Sequence, residues 1–82
     1  MSLYTVQISG RKYRIEIKDK LVRLNGKKVN IGLMPQEHPG MFSLTHGTNQ
    51  REVYVQHQQN GTYAITADGR HLVAEVQVDH EN

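Results

Sequence analysis

Apolar and polar residues take turns along almost the whole chain. Tyr4, Val6 and Ile8 alternate with Thr5, Gln7 and Ser9, and Tyr13, Ile15 and Ile17 with Arg14, Glu16 and Lys18. Val22/Leu24, Val29/Ile31, Phe42/Leu44 and Val53/Val55 keep the same phase, as do Tyr63/Ile65/Ala67 and Leu72/Ala74/Val76/Val78. Successive strand side chains point to opposite faces, so each run predicts one core face and one wet face. Three alanines against thirteen valines and isoleucines leave little material for a helix. The predicted fold is all-β: about eight short antiparallel strands in hairpin or meander order, with no substantial helix. Curling into a half-barrel or small sandwich would hide the sheet edges.

The turns test this reading through register. Ser9-Gly10, Asn25-Gly26 and Asp68-Gly69 are dipeptides of the kind that close two-residue hairpins. With these loops Val6 meets Tyr13, Val22 meets Val29 and Ile65 meets Leu72, so apolar residues share a face. A slip of one residue would turn every side chain to the wrong face. Asn60-Gly61 alone would set Val55 against Thr66. A Gln59-Asn60-Gly61 loop with a glycine bulge restores the phase and places Val55 opposite Ile65. Thr48-Asn49, between Gly47 and Gln50, would pair Leu44 with Val53 and Phe42 with Val55. The spacing of apolar residues around Gly10, Gly26 and Gly69 forms a weak repeat that any two-residue hairpin would share.

Leu33 to Gly40, with two prolines and a glycine, reads as an irregular connection between two β halves. The expected division is one small domain over 1–82: a leader at 1–3, two hairpins over 4–31, a Pro/Gly connection over 32–40, a second half over 41–79 and a tail at 80–82. Leu, Ile, Val and Phe make up about 24% of the chain, enough for collapse but for only a modest core. A mean hydropathy of −0.64 with no long apolar run excludes a membrane-spanning helix. There is no cysteine, hence no disulfide, thiolate metal site or thiol nucleophile, and a cytoplasmic location is expected.

Charge adds more than its total implies. The net charge is +2, yet residues 1–28 carry +6 and residues 29–82 carry −4. Such asymmetry points to a nucleic-acid partner, a membrane surface or an acidic protein. Arg11-Lys12, Lys27-Lys28 and Arg70-His71 each follow a turn glycine directly, and the Asn25-Gly26 register sets Arg23 opposite Lys28 on the wet face. Like charges in that position destabilise a sheet unless something tolerates or uses them. Arg11, Lys12, Arg23, Lys27, Lys28 and Arg70 are therefore the candidate interaction surface. Nucleic acid would engage them through phosphates. Single-strand binding also uses exposed aromatics, whereas Tyr4, Tyr13 and Tyr63 fall on the core face and only Tyr54 points outward. A solvated basic face that keeps a strand edge soluble accounts for the cations better than nucleic acid does, and an acidic protein partner stands between the two.

Other chemistry finds no foothold. No carboxylate or histidine is singled out for acid–base work, and Ser9 and Ser43 lie in no nucleophile elbow. No two of His38, His46, His57, His71 and His80 have the i, i+2 spacing of a one-strand metal site. His57, in phase with Val53 and Val55, is expected to be half-buried at the barrel mouth. No catalytic, cofactor-binding or metal-binding residue is predicted.

The stretch Tyr4-Thr-Val-Gln-Ile-Ser-Gly-Arg-Lys-Tyr-Arg-Ile-Glu-Ile17, followed by Leu21-Val-Arg-Leu-Asn-Gly-Lys-Lys-Val29, resembles the opening of small biotin carboxyl carrier subunits. The final hairpin, Thr62 to Val78, and the Asp79-His80-Glu81 tail are similar to the end of the β module in that family. The resemblance spans nearly the whole chain and rests on hairpin spacing and alternation. In these subunits a linker and a biotinyl domain follow, with the acceptor lysine between two methionines. Met34 and Met41 have no lysine between them, so the resemblance implies the N-terminal β module alone, with biotin only on a separate carrier domain past Asn82. It further implies a non-enzymatic docking or spacer role in a biotin-dependent carboxylase or decarboxylase. The partners would be the biotin carboxylase or carboxyltransferase subunits. Related barrels in larger acyl-CoA carboxylases wrap a long helix, for which this sequence offers no candidate. The alternative reading is a small basic β domain that binds nucleic acid through its hairpin tips.

Overall fold

A computed structural model describes residues 1–81; Asn82 lies outside the described residues. The chain forms nine strands: β1 (Ser2–Ile8), β2 (Arg11–Lys18), β3 (Leu21–Leu24), β4 (Lys27–Val29), β5 (Ile31–Pro35), β6 (Met41–His46), β7 (Asn49–His57), β8 (Thr62–Ala67) and β9 (Arg70–His80). They make a single antiparallel sheet in the order β4-β3-β2-β1-β9-β8-β7-β6-β5. The fold is all-β, without a helix among the described residues, and curls into a nearly closed barrel.

The seam explains why nine strands stand where about eight were expected. β4 and β5 run in the same sense and only Asn30 separates them. Lys27–Pro35 is thus one bent strand whose first part pairs with β3 and whose second part pairs with β6. The barrel closes through this bend, not through a ladder between β4 and β5. Ile31–Pro35 was expected to fall largely in an irregular connection. Pro35 is tolerated in the strand because it stands opposite Phe42 at a position whose missing N–H would face outward from the sheet. The loop shrinks to Gln36–Gly40. The expected leader is also part of the sheet, since Ser2 pairs with Ile17 and Leu3 with Glu16.

The predicted registers over Ser9-Gly10, Asn25-Gly26 and Asp68-Gly69 match the observed pairs Val6–Tyr13, Val22–Val29 and Ile65–Leu72. Val55 stands opposite Ile65, as the longer Gln59-Asn60-Gly61 loop required. There Thr62 N–H donates to the Gln59 carbonyl, and Gln58 N–H donates to the Thr62 carbonyl. Two residues therefore face one in a bulge beside the turn.

One register differs. Phe42 pairs with Val53 and Leu44 with Arg51, because Gly47-Thr48, not Thr48-Asn49, forms the loop. Gly47 has a φ of 62° and occupies the first central position, the geometry of a type II′ hairpin turn. A shift of two residues preserves the faces, so the alternation alone could not detect it.

The ladder between β1 and β9 joins the two meanders and is the longest-range pairing in the fold. Asp79 is the extra residue where the register shifts between Leu3 and Tyr4, and its carboxylate accepts a hydrogen bond from Thr5 Oγ1. The core is thin. Ala74 and Val53 on the inner face are 3% and 8% exposed, and the other inner side chains are half-buried or exposed. On the outer face Ser43 is buried under Gln50, whose amide donates to Ser43 Oγ.

Candidate interaction surface at the basic end of the barrel

Antiparallel order sends every second turn to the same end. Ser9-Gly10, Asn25-Gly26, Gly47-Thr48 and Asp68-Gly69 therefore all open toward one end of the barrel. Five of the six candidate cations follow these turns directly and share that end: Arg11, Lys12, Lys27, Lys28 and Arg70. Arg23 lies two residues before Asn25. Sequence spacing pointed to basic tips, and the meander turns them into one basic end.

Strand phase divides the six. Arg11, Lys27 and Arg70 pair with Ile8, Leu24 and Ala67 and take the inner phase at the lip of the barrel. Lys12, Arg23 and Lys28 take the outer phase, and all six are exposed.

The opposition of Arg23 and Lys28 is present in the register, and the structure supplies its compensation. Glu16 stands across from Arg23 on its other side, 3.7 Å from the guanidinium. Along this row a carboxylate, a guanidinium and an ammonium follow in order, so the acid offsets part of the repulsion. The compensation ends at Arg23 and leaves Lys28 at the sheet edge.

Two further cations belong to the surface. Arg14 is two residues beyond Lys12 and shares its face, a signal that the i, i+2 rule already contained. The Asn25 tip folds onto β2: Asn25 N–H donates to the Arg14 carbonyl, and Arg14 N–H donates to Asn25 Oδ1, each at 2.8 Å. A solvent-open groove of about 440 Å³ lies beside it, lined by Thr5, Lys12, Tyr13, Arg14, Asn25 and Gly26. Arg51, in phase with Val53, pairs with Asp68 near the same end. Asp68 is the one acid in the four turns that open there.

The charge asymmetry also changes shape on folding. Because β1 pairs with both β2 and β9, Glu75, Gln7 and Lys12 form one outer row, and Gln77, Thr5 and Arg14 the next. The basic and acidic parts of the chain are neighbouring stripes divided by the uncharged strand β1. They are not opposite poles.

No aromatic side chain stands free among these cations. All four tyrosines and Phe42 are half-buried. Tyr54, expected to point outward, does lie on the outer face, but Gln56 covers it through a hydrogen bond to its hydroxyl. His57 is exposed, not half-buried, and packs its ring against Tyr63 with centroids 4.9 Å apart, at the end opposite the basic tips. Among the described residues no three histidine, aspartate or glutamate side chains gather as a metal site would require.

Compared with known family models, curated proteins and solved structures, the chain matches none.

Proposed function

We propose that this domain is a non-enzymatic docking module whose basic end holds an acidic protein surface. The observation that carries the proposal is the convergence of Arg11, Lys12, Lys27, Lys28 and Arg70 on one end with a single acid in its turns. Clustered cations steer an acidic partner and fix its register more than they add raw affinity. The resemblance to the β module of biotin carboxyl carrier subunits supplies the setting. There the domain acts as a spacer that docks on the biotin carboxylase or carboxyltransferase subunit, while biotin rides on a separate domain.

Co-sedimentation of the domain with those two subunits tests the reading. Binding is expected at low salt, with loss when Lys12, Lys27 and Lys28 are changed together to glutamate. A streptavidin blot of the native full-length product tests the setting, because a biotinylated product is expected. An unbiotinylated one removes the carrier reading and leaves the docking surface to be judged alone.

The same cations favour a second reading, nucleic-acid binding through phosphates, in which the logarithm of the affinity falls linearly with log salt. The absence of exposed aromatics weighs against it, since base stacking supplies much of the energy of single-strand binding. Oligonucleotide binding that matches or exceeds binding to the acidic subunits would reverse the ranking.

A further inference from the structure

The two free edges of the sheet are treated differently. β4 carries Lys27 and Lys28, the charge that keeps a strand edge from pairing with its copy. β5 carries no charge. All five of its residues are exposed, with Ile31 at 44%, Leu33 at 58% and Met34 at 67%. Among the described residues it is the one strand whose two faces both present large apolar side chains to solvent while its backbone edge is unpaired.

Its hydrogen-bonding phase follows from the neighbouring loop. Gln36 N–H donates to the Met41 carbonyl, so Met34 and Gly32 are the β5 residues bonded to β6. Leu33 and Ile31 then direct their N–H and carbonyl groups to the free edge, where Pro35 offers a carbonyl only.

The geometry points to pairing of β5 with β5 of a second copy, antiparallel about a two-fold axis at Leu33. In that register Leu33 exchanges both of its edge hydrogen bonds with Leu33 of the other chain. Ile31 faces Pro35, and Ile31 N–H meets the one group that Pro35 presents. Gly32 faces Met34, the least bulky residue of the strand against its most exposed side chain. A Cβ at Gly32 would lie 2.5 Å from Thr45 Oγ1, so a larger residue there would have to turn the Thr45 side chain and would narrow the space opposite Met34. All of these pairs keep inner face with inner face. Antiparallel order also brings the end of β5 that follows Lys27-Lys28 beside the end of its copy that precedes Glu37. Opposite charges thus flank the uncharged strand at both ends. A five-residue strand buries far less than the roughly 1,200 Å² of a stable complex. The dimer is therefore weak and concentration-dependent.

A cysteine scan of the otherwise cysteine-free chain tests the register. Directly opposed, hydrogen-bonded residues have Cα atoms about 5.5 Å apart, within disulfide range. L33C is expected to cross-link to a dimer on mild oxidation. I31C, offset from its own copy by four residues, is expected to stay monomeric. In sedimentation velocity the unmodified chain should shift toward dimer with concentration. L33P, which removes only an outward N–H, should abolish the shift with its far-ultraviolet circular dichroism unchanged. A chain that stays monomeric at every concentration, or I31C cross-linking as readily as L33C, overturns the proposal. Neither result bears on the basic end, because Ile31 and Leu33 lie in β5 and every cation of the docking surface is left in place.

Discussion

The two ends of the barrel use glycine for different purposes. At the basic end Gly10, Gly26, Gly47 and Gly69 sit at turn tips where an added Cβ would meet nothing within 4 Å. At the other end Gly40 and Gly61 each extend a ladder by one bond, from Val55 N–H to the Gly40 carbonyl and from Val76 N–H to the Gly61 carbonyl. There a Cβ would lie 2.8 Å from the Val55 carbonyl oxygen and 2.6 Å from that of Val76. At the basic end the glycines themselves face open solvent, and among the described residues the tips touch the sheet only through Asn25 on β2 and Asp68 on Arg51. The other end is folded back on the sheet. The free end carries the cations, so the surface proposed to bind is the one with fewest structural duties.

Alanine at each glycine separates the two cases. At Gly40 and Gly61 it adds a positive-φ penalty to a backbone clash, and the expected loss is roughly 3 kcal/mol each. At Gly10 and Gly69 only the conformational term remains, about 1 kcal/mol. Urea unfolding of the four variants checks the split. Equal losses at both ends would show that the distinction does not govern stability.

The core should weigh next. Val53 is buried on the inner face, and Val53→Ala removes two methyl groups from it, at a cost of about 2 kcal/mol. Leu33→Ala, at the exposed edge, should cost only a few tenths of a kcal/mol in the monomer. A barrel that tolerated Val53→Ala as well as Leu33→Ala would be held by its ladders and not by its inner face.

Lys20 offers a gain. The turn between β2 and β3 is Asp19-Lys20, with φ values of 48° and 70°, the left-handed pattern of the Asn-Gly tips without their glycine. Lys20→Gly should relieve the strain and stabilise the domain by about 1 kcal/mol. A thermal melt that rises for this variant and falls for Gly10→Ala would show that one left-handed preference for glycine governs the turns at both ends, leaving contact as what sets Gly40 and Gly61 apart.

Local rules made much of this fold legible. Alternation plus a turn dipeptide fixed the hairpins over Gly10, Gly26 and Gly69, since a single-residue slip reverses every face. Asp19-Lys20 gave no such signal because Lys20 stands where the other tips have glycine, although Asp19 takes the same left-handed conformation as Asp68. The Gly47 register escaped because a shift of two is silent in the alternation. β5 was hidden by Pro35, which reads as a strand breaker unless the free edge is known to lie on its N–H side. The β1–β9 ladder is a long-range closure for which turn chemistry has no code. The candidate surface was legible as tips but not as one end, because that step needs the meander order. Arg14 was already in phase with Lys12, whereas Arg51 joined the surface only once the Gly47-Thr48 turn was set.

The smallest effect on stability tests most directly whether the basic end is kept for binding. Lys28 stands opposite Arg23, whose guanidinium already has Glu16 on its other side. Lys28→Glu replaces a like-charge cross-strand pair with an opposite one, and a gain of a few tenths of a kcal/mol is expected. The same change removes one cation from the proposed docking surface and should weaken binding to an acidic partner, more at low salt than at high. Stability and binding then move in opposite directions at a single residue. A solvated face with no partner predicts the stability gain alone. A docking face predicts both, and lost affinity in a domain that melts no lower cannot be attributed to misfolding.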